Sequence, residues 1–179
     1  MKYAISHSKP NKMKLGIIII CYDNEYDIDI NHCVELLHKI KDIEICLVNN
    51  NSQDRTLDVL KEIKERCKNV SVVDMKKFKS GNSAIKAGAR YMSSQFNLKH
   101  LGFVDAKKIN EYQDLCLVIK DIKEHQKDIS DYDQSFLNKK GIKLTMFQSL
   151  FSVMDYLMKI NIENQYNNQF RGLDGQCRF

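Results

Sequence analysis

Leu15-Gly-Ile-Ile-Ile-Ile-Cys-Tyr-Asp-Asn-Glu25 decides the fold. It opens with a continuous apolar run, the mark of a strand buried on both faces, and breaks abruptly into polar residues. The same rhythm recurs downstream. Residues from about Asp29 to Lys41 set Ile30, Cys33, Val34, Leu37 and Ile40 at helical spacing, and Ile43-Glu-Ile-Cys-Leu-Val48 reads as a second strand. A second helix is expected to begin near Ser52 to Asp54, with Leu57, Leu60, Ile63 and Cys67 on one face. Ser52 suits its N-cap, and Asp54 in the first turn suits the helix dipole. Val70-Ser-Val-Val-Asp74 reads as the third strand, followed by a helix from about Asn82 to Phe96. Leu101-Gly-Phe-Val-Asp105 reads as the fourth, followed by a helix from Glu111 to about Lys127 that presents Tyr112, Leu115, Val118, Ile119 and Ile122. Four strand–helix alternations at spacings of roughly 25 to 30 residues imply right-handed crossovers and a parallel sheet. The expected class is α/β, a Rossmann-like domain over residues 15–127 with a mostly parallel sheet and helices on both faces.

The flanks read differently. Residues 1–14 form an N-terminal extension that carries Lys2, Lys9, Lys12 and Lys14 but too short an apolar stretch for a secretory segment. Residues 128–179 read as a short acceptor-side segment, polar and loop-like from Ser130 to Gly141. One amphipathic helix is expected from Leu144 to Ile160, its stripe formed by Phe147, Leu150, Phe151, Met154, Leu157 and Met158. That stripe fits core packing against the sheet, or else a contact with a membrane interface or lipid acceptor.

With 43% hydrophobic and 28% charged residues over 179 positions, the chain falls in the range of soluble globular domains rather than disordered ones. No stretch approaches the ~18 to 20 consecutive apolar residues that span a bilayer. Seven glycines and one proline exclude fibrous repeats. The net charge of +5 favours anionic partners, although the lysines are spread along the chain and read mostly as solvated surface. The six cysteines (Cys21, Cys33, Cys46, Cys67, Cys116, Cys177) show no metal-binding spacing, and all are expected to be reduced, in a cytoplasmic protein with at most peripheral contact with the membrane.

In a doubly wound sheet, ligands bind outside the carboxyl ends of the strands. Those ends are Tyr22-Asp-Asn-Glu25, Asn49-Asn-Asn-Ser-Gln-Asp-Arg-Thr56, Lys76-Lys-Phe-Lys-Ser-Gly-Asn-Ser83 and Asp105-Ala-Lys-Lys108. A G-x-G-x-x-G after the first strand is absent, as is any G-x-x-x-x-G-K-[ST], which argues against a dinucleotide site and a P-loop.

Taken together the four ends resemble the family-2 glycosyltransferases, inverting enzymes of GT-A fold that use nucleotide-activated sugars. Cys21-Tyr-Asp-Asn-Glu25 is similar to the family's Pro-x-Tyr-Asn-Glu segment without its proline. Val48-Asn-Asn-Asn-Ser-Gln-Asp-Arg-Thr56 matches Val-Asp-Asp-Gly-Ser-x-Asp-x-Thr at Ser52, Asp54 and Thr56, with Asn49 and Asn50 at acidic positions. Gly81, Ala84 and Gly88 resemble the Gly-x-x-x-Ala-x-x-x-Gly segment. Phe103-Val-Asp-Ala-Lys107 stands where Asp-Ala-Asp is usual. Asp174-Gly-Gln-Cys177 resembles the Asp-x-Gln-Cys segment of dolichyl- or polyprenyl-phosphate sugar synthases within the same family. Family members commonly continue beyond that segment, so the chain reads as naturally short or truncated.

The resemblance implies a nucleoside-diphosphate sugar as donor and a saccharide or lipid-phosphate acceptor. It assigns Asn24, Glu25, Asn49, Asn50, Ser52 and Asp54 to the nucleoside pocket, where Ser52 and Asp54 fit plain helix capping equally well. Lys79, Lys86 or Arg90 offsets the diphosphate charge, or is a solvated cation. Gly81, Asn82 and Gly88 line a close backbone approach to the ligand. His32 and His38 lie on a helix away from the strand ends and read as structural or surface residues. Asp105 is the implied catalytic residue and metal ligand, and Asp174 the implied catalytic carboxylate on the acceptor side. The implied cofactor is Mg²⁺ or Mn²⁺ held against the diphosphate. Lys107, in place of the second aspartate, cannot ligate a cation while protonated. It therefore neutralises the diphosphate directly, or marks a non-catalytic protein that binds a nucleotide-sugar or a protein partner. A basic nucleic-acid module is the third reading; it lacks a basic stripe and an interleaved aromatic platform in the sequence.

Overall fold

The computed structural model describes residues 14–104, 114–130 and 150–159. Five strands, β1 (Lys14–Cys21), β2 (Ile43–Asn49), β3 (Val70–Asp74), β4 (Leu98–Val104) and β5 (Phe151–Ser152), form one sheet in the order β3-β2-β1-β4-β5. Every pairing is parallel, with Ile17 beside Ile45 on one side and Gly102 on the other. The helices are α1 (Ile30–Lys39), α2 (Thr56–Arg66), α3 (Gly81–Gln95), α4 (Leu115–Glu124) and α5 (Gln126–Ser130), and residues 153–159 are also helical. The mostly parallel sheet with helices on both faces is the architecture expected from the apolar rhythm.

Alternation along the strands explains the layers. Ile17, Ile19, Ile43, Ile45 and Leu47 point to the face covered by α1, α2, α4 and the helix at 153–159. Ile18, Ile20, Cys46 and Val48 point to the other, which α3 covers with Ala84, Ile85, Ala89 and Met92. Both faces of β1 are thus out of water, as its uninterrupted isoleucines require. Gly88 sets the depth of α3: a Cβ there would stand 2.7 Å from the Ile18 Cγ2 and 3.0 Å from the Val48 Cγ2. Its role is helix–sheet packing, which corrects its expected place beside a ligand.

Three expectations change. The helix expected over Leu144–Ile160 is interrupted, because Phe151 and Ser152 pair with Gly102 and Phe103 as β5 and helix follows only from residue 153. Gly102 permits this, since a Cβ on it would meet Val153 Cγ2 at 2.6 Å. Residues 144–149 lie outside the described residues. The helix expected from Glu111 begins at Leu115, where the Asp114 carboxylate accepts from the Cys116 N–H and caps it. Finally, Cys33 and Cys116 are joined as a disulfide with Cα atoms 5.0 Å apart, tying α1 to α4 across a sequence separation of 83, rather than standing as free thiols. Cys21, Cys46 and Cys67 are free and buried, and burial pushes the Cys21 and Cys46 thiols up to about 12, so neither serves as a nucleophile at neutral pH. No helix among the described residues is long and apolar enough to cross a membrane.

Candidate functional site

All strands being parallel, their carboxyl ends share one edge, and the loops after β1 and β2 meet there. Five hydrogen bonds lace them together. Asp23 N–H donates to Ser52 Oγ (3.1 Å), and Gln53 N–H donates back to the Asp23 carboxylate (2.7 Å). Glu25 N–H donates to the Asp54 carboxylate (2.9 Å), and Arg55 N–H donates back to that of Glu25 (3.0 Å). Asn24 N–H donates to Thr56 Oγ1 at 2.7 Å. Irregular backbone without ladder partners is satisfied this way by short side chains from the facing loop. Asp23 and Asn51 turn each loop at positive φ, 50° and 60°, a conformation that Asp and Asn tolerate through local hydrogen bonding.

Asp54 sits at the centre of this lacing. Its other oxygen accepts from Thr56 N–H at 2.9 Å, so it serves the start of α2 from just outside the helix. Burial alone pulls its carboxyl up; hydrogen bonds from the Thr56 side chain and from the Glu25 and Thr56 backbones outweigh that and leave it below its ordinary value. Ser52, expected as the N-cap, instead accepts from Asp23.

Asn49 and Asn50, both buried, face different ways. Asn49 donates to the Asp74 carboxylate at 2.9 Å and accepts from Ser52 N–H at 3.3 Å. Asn50 forms a reciprocal pair with Lys79, donating to its carbonyl at 2.9 Å and accepting from its N–H at 3.1 Å. Asp74 also accepts from Lys76 Nζ at 2.6 Å. The Lys76 and Asn49 hydrogen bonds hold the Asp74 carboxyl below the usual carboxylate range, against the opposing effect of burial.

Between the ends of β2 and β3 opens a cleft of ≈ 340 Å³, lined by Asn49, Ser52 and Asp54 among the expected residues, by Lys76 from the third strand end, and by Asp58 and Asp74, which were not foreseen. Its size suits a small-molecule site. Asp74 was findable as the last residue of a strand at this edge. Asn24, Glu25 and Asn50 are engaged in holding the loops. Lys79, Gly81, Asn82 and Lys86 are exposed at and beyond the start of α3, outside the lining of this cleft. Asp105, Lys107 and Asp174 lie outside the described residues. Among the described residues no cluster of three or more His, Cys, Asp or Glu gathers closely enough to hold a metal ion. The oxygens of Asp54 and Asp74 already accept protein donors, so this described donor set does not form a cation cage.

Comparison with known proteins gives the following. Residues 17–174 match the family model described as glycosyl transferase family 2. No curated protein matches the chain. Among solved structures, TarS from S. aureus is 23% identical over 52% of this chain and 16% of its own, with a TM-score of 0.38. TarS 1–349 in complex with UDP-GlcNAc is 20% identical over 64% of this chain and 32% of its own, TM-score 0.37. The mannosyltransferase PcManGT from Pyrobaculum calidifontis, in complex with GDP-Man and Mn²⁺, is 14% identical over 48% and 28%, TM-score 0.38. The chain therefore spans a third or less of the lengths of these solved chains.

Proposed function

Because the chain belongs to glycosyl transferase family 2, we propose that it binds a nucleoside-diphosphate sugar at the carboxyl edge of the sheet and transfers the sugar, with inversion, to an acceptor such as a polyprenyl phosphate. The observation that carries this reading is the cleft between β2 and β3, whose walls of Asn49, Ser52, Asp54 and Asp74 lie on the carboxyl edge of the sheet, the edge at which open parallel sheets receive ligands, to one side of the β1–β4 switch point. Its carboxylates and amides offer acceptors to base N–H and ribose hydroxyl groups. Three of its lining residues are aspartates, Asp54, Asp58 and Asp74, so the cleft disfavours phosphate. The diphosphate then belongs nearer the β1–β4 switch point and the segment that carries Asp105 and Lys107. A divalent cation bound there would neutralise the leaving diphosphate. Lys107 supplies part of the same compensation as an ammonium. A lipid-phosphate acceptor is already anionic and needs little base catalysis, which leaves Asp174 an orienting part.

Calorimetric titration of UDP, GDP and their sugars, each with EDTA and with Mn²⁺, tests the reading. Binding is expected in EDTA, and Lys107→Asp is expected to abolish it there and to recover it with Mn²⁺. Binding by wild type only with Mn²⁺ rejects the compensation by lysine. A folded wild type that binds no nucleotide in either condition rejects the donor site itself.

A further inference from the structure

The α3 side of the molecule is segregated in charge. From Met75 to Val104 the chain carries Lys76, Lys77, Lys79, Lys86, Arg90 and Lys99 and not one Asp or Glu. Folding keeps most of this charge together. Lys76, Lys77 and Lys79 are exposed in the loop that enters α3, and Lys86 and Arg90, four residues apart, are exposed on the helix itself. The basic stripe that the sequence hides is made by the fold, because among the described residues α3 is the helix that covers this face of the sheet.

At the summit of the same loop stands Phe78, 59% exposed. Its ring meets Tyr22 edge-on, centroids 5.1 Å apart at 66°. The loop holding it is pinned at both ends, by Met75 N–H donating to the Asn49 carbonyl (2.9 Å) and by the Asn50–Lys79 pair. An exposed aromatic on a braced loop ringed by lysines costs little further ordering when it docks.

We propose that this face docks on an anionic lipid surface, with Phe78 entering the headgroup layer and the four cations Lys77, Lys79, Lys86 and Arg90 facing the lipid phosphates, Lys76 being held by Asp74. Lysine stems lie along apolar surface while their heads stay at the charged interface, and a juxtaposed aromatic adds apolar burial. One wedge plus a basic patch gives reversible, salt-sensitive attachment. Asp23, Glu25 and Asp27 after β1 and Asp58 in the first turn of α2 lie outside this segment, so the like-charge surface they form is repelled and the orientation is set; Asp74, at the border of the segment, is paired with Lys76. A nucleic acid is the poorer partner: the Phe78 ring is engaged edge-on by Tyr22, and no second exposed aromatic follows it in the loop for successive bases to stack upon. The proposal is independent of the donor-site reading.

Co-sedimentation of the full chain with vesicles of phosphatidylcholine, alone or with 30% phosphatidylserine, tests it at low and high salt. Binding to the anionic vesicles is expected to exceed binding to the neutral ones by about tenfold or more, and to fade as salt shortens the screening length. Replacing Lys77, Lys79 and Arg90 together by Gln should weaken it about 100-fold, and Phe78→Ser about tenfold, with Tm unchanged in each. If the triple variant loses Tm, Lys86→Glu repeats the electrostatic arm alone. Equal binding to neutral vesicles, no binding to anionic ones, or indifference to both the charge and the Phe78 variants overturns the proposal. Variants that abolish retention of a single-stranded RNA while wild type ignores vesicles reassign the face to nucleic acid.

Discussion

Asp54 receives Glu25 N–H and Thr56 N–H on its two oxygens, so one side chain closes both strand-end loops and starts α2. Asp54→Ala leaves two donors without partners and is expected to lower stability by about 1 to 3 kcal/mol in urea unfolding, with nucleotide affinity falling in parallel. Asp54→Asn keeps an acceptor and should lose less. The pH dependence has a definite sign. Asp54 and Asp74 both titrate below their ordinary range in the folded protein, so each contributes stability that is fully present above the unfolded carboxylate value. That contribution disappears as pH falls through the depressed folded value. Asp74→Asn should therefore flatten the acid limb of a Tm–pH profile, and an unchanged limb would show that Asp74 is not stabilised by Lys76 and Asn49. Positions of these residues were legible in the sequence, because strand ends follow from apolar runs. Their partners were not, since Asn50 reaches Lys79 and Ser52 reaches Asp23 across 29 residues, a separation on which local periodicity is silent.

The strands β1 and β2 were readable because a parallel strand buried on both faces writes a near-continuous apolar run; β3, at the sheet's edge and half-buried beyond Ser71, was readable from its valines. β5 was hidden for the opposite reason. Phe151 and Ser152 sit within a run whose apolar spacing is helical, and only pairing with β4 makes them extended. Phe151 is buried, with its ring edge-to-face on Tyr156 at 6.0 Å, and Val153, Met154 and Leu157 are buried beyond it. Phe151→Asp should cost about 3 to 5 kcal/mol or more, seen as a large drop in Tm; a variant that keeps its Tm and only gains solubility would make this face an outward contact instead. The α1–α4 bridge was likewise illegible, as Cys33 and Cys116 are far apart in the chain and show no pairing motif. Closing a loop of this length is worth about 4 to 5 kcal/mol in a chain-entropy account. Reductant should lower the unfolding free energy by up to that amount, and thiol titration of the unfolded, unreduced chain should fall two short of the six cysteines. Six reactive thiols before reduction would dissolve the bridge.

At the scale of the molecule, the strand order β3-β2-β1-β4-β5 places β1, the first strand among the described residues, in the middle of its sheet. The segment from β1 to β3 pairs among near neighbours and forms one flank of the candidate site, which is why the fold and part of the lining of the β2–β3 cleft were legible there. The other flank waits for β4, and the charge segregation of α3 became visible only once that helix was placed on its face of the sheet. One consequence concerns the chain as it is made. β1 can pair with β2 as soon as Asn49 has emerged, yet its other edge stays open until Val104 follows. At synthesis rates of ~5 to 20 residues per second this leaves an isoleucine-rich template with unpaired amides uncovered for seconds. That interval is when a nascent chain of this design is most exposed to pairing with its neighbours on a polysome, and when a ribosome-associated chaperone has the most to shield.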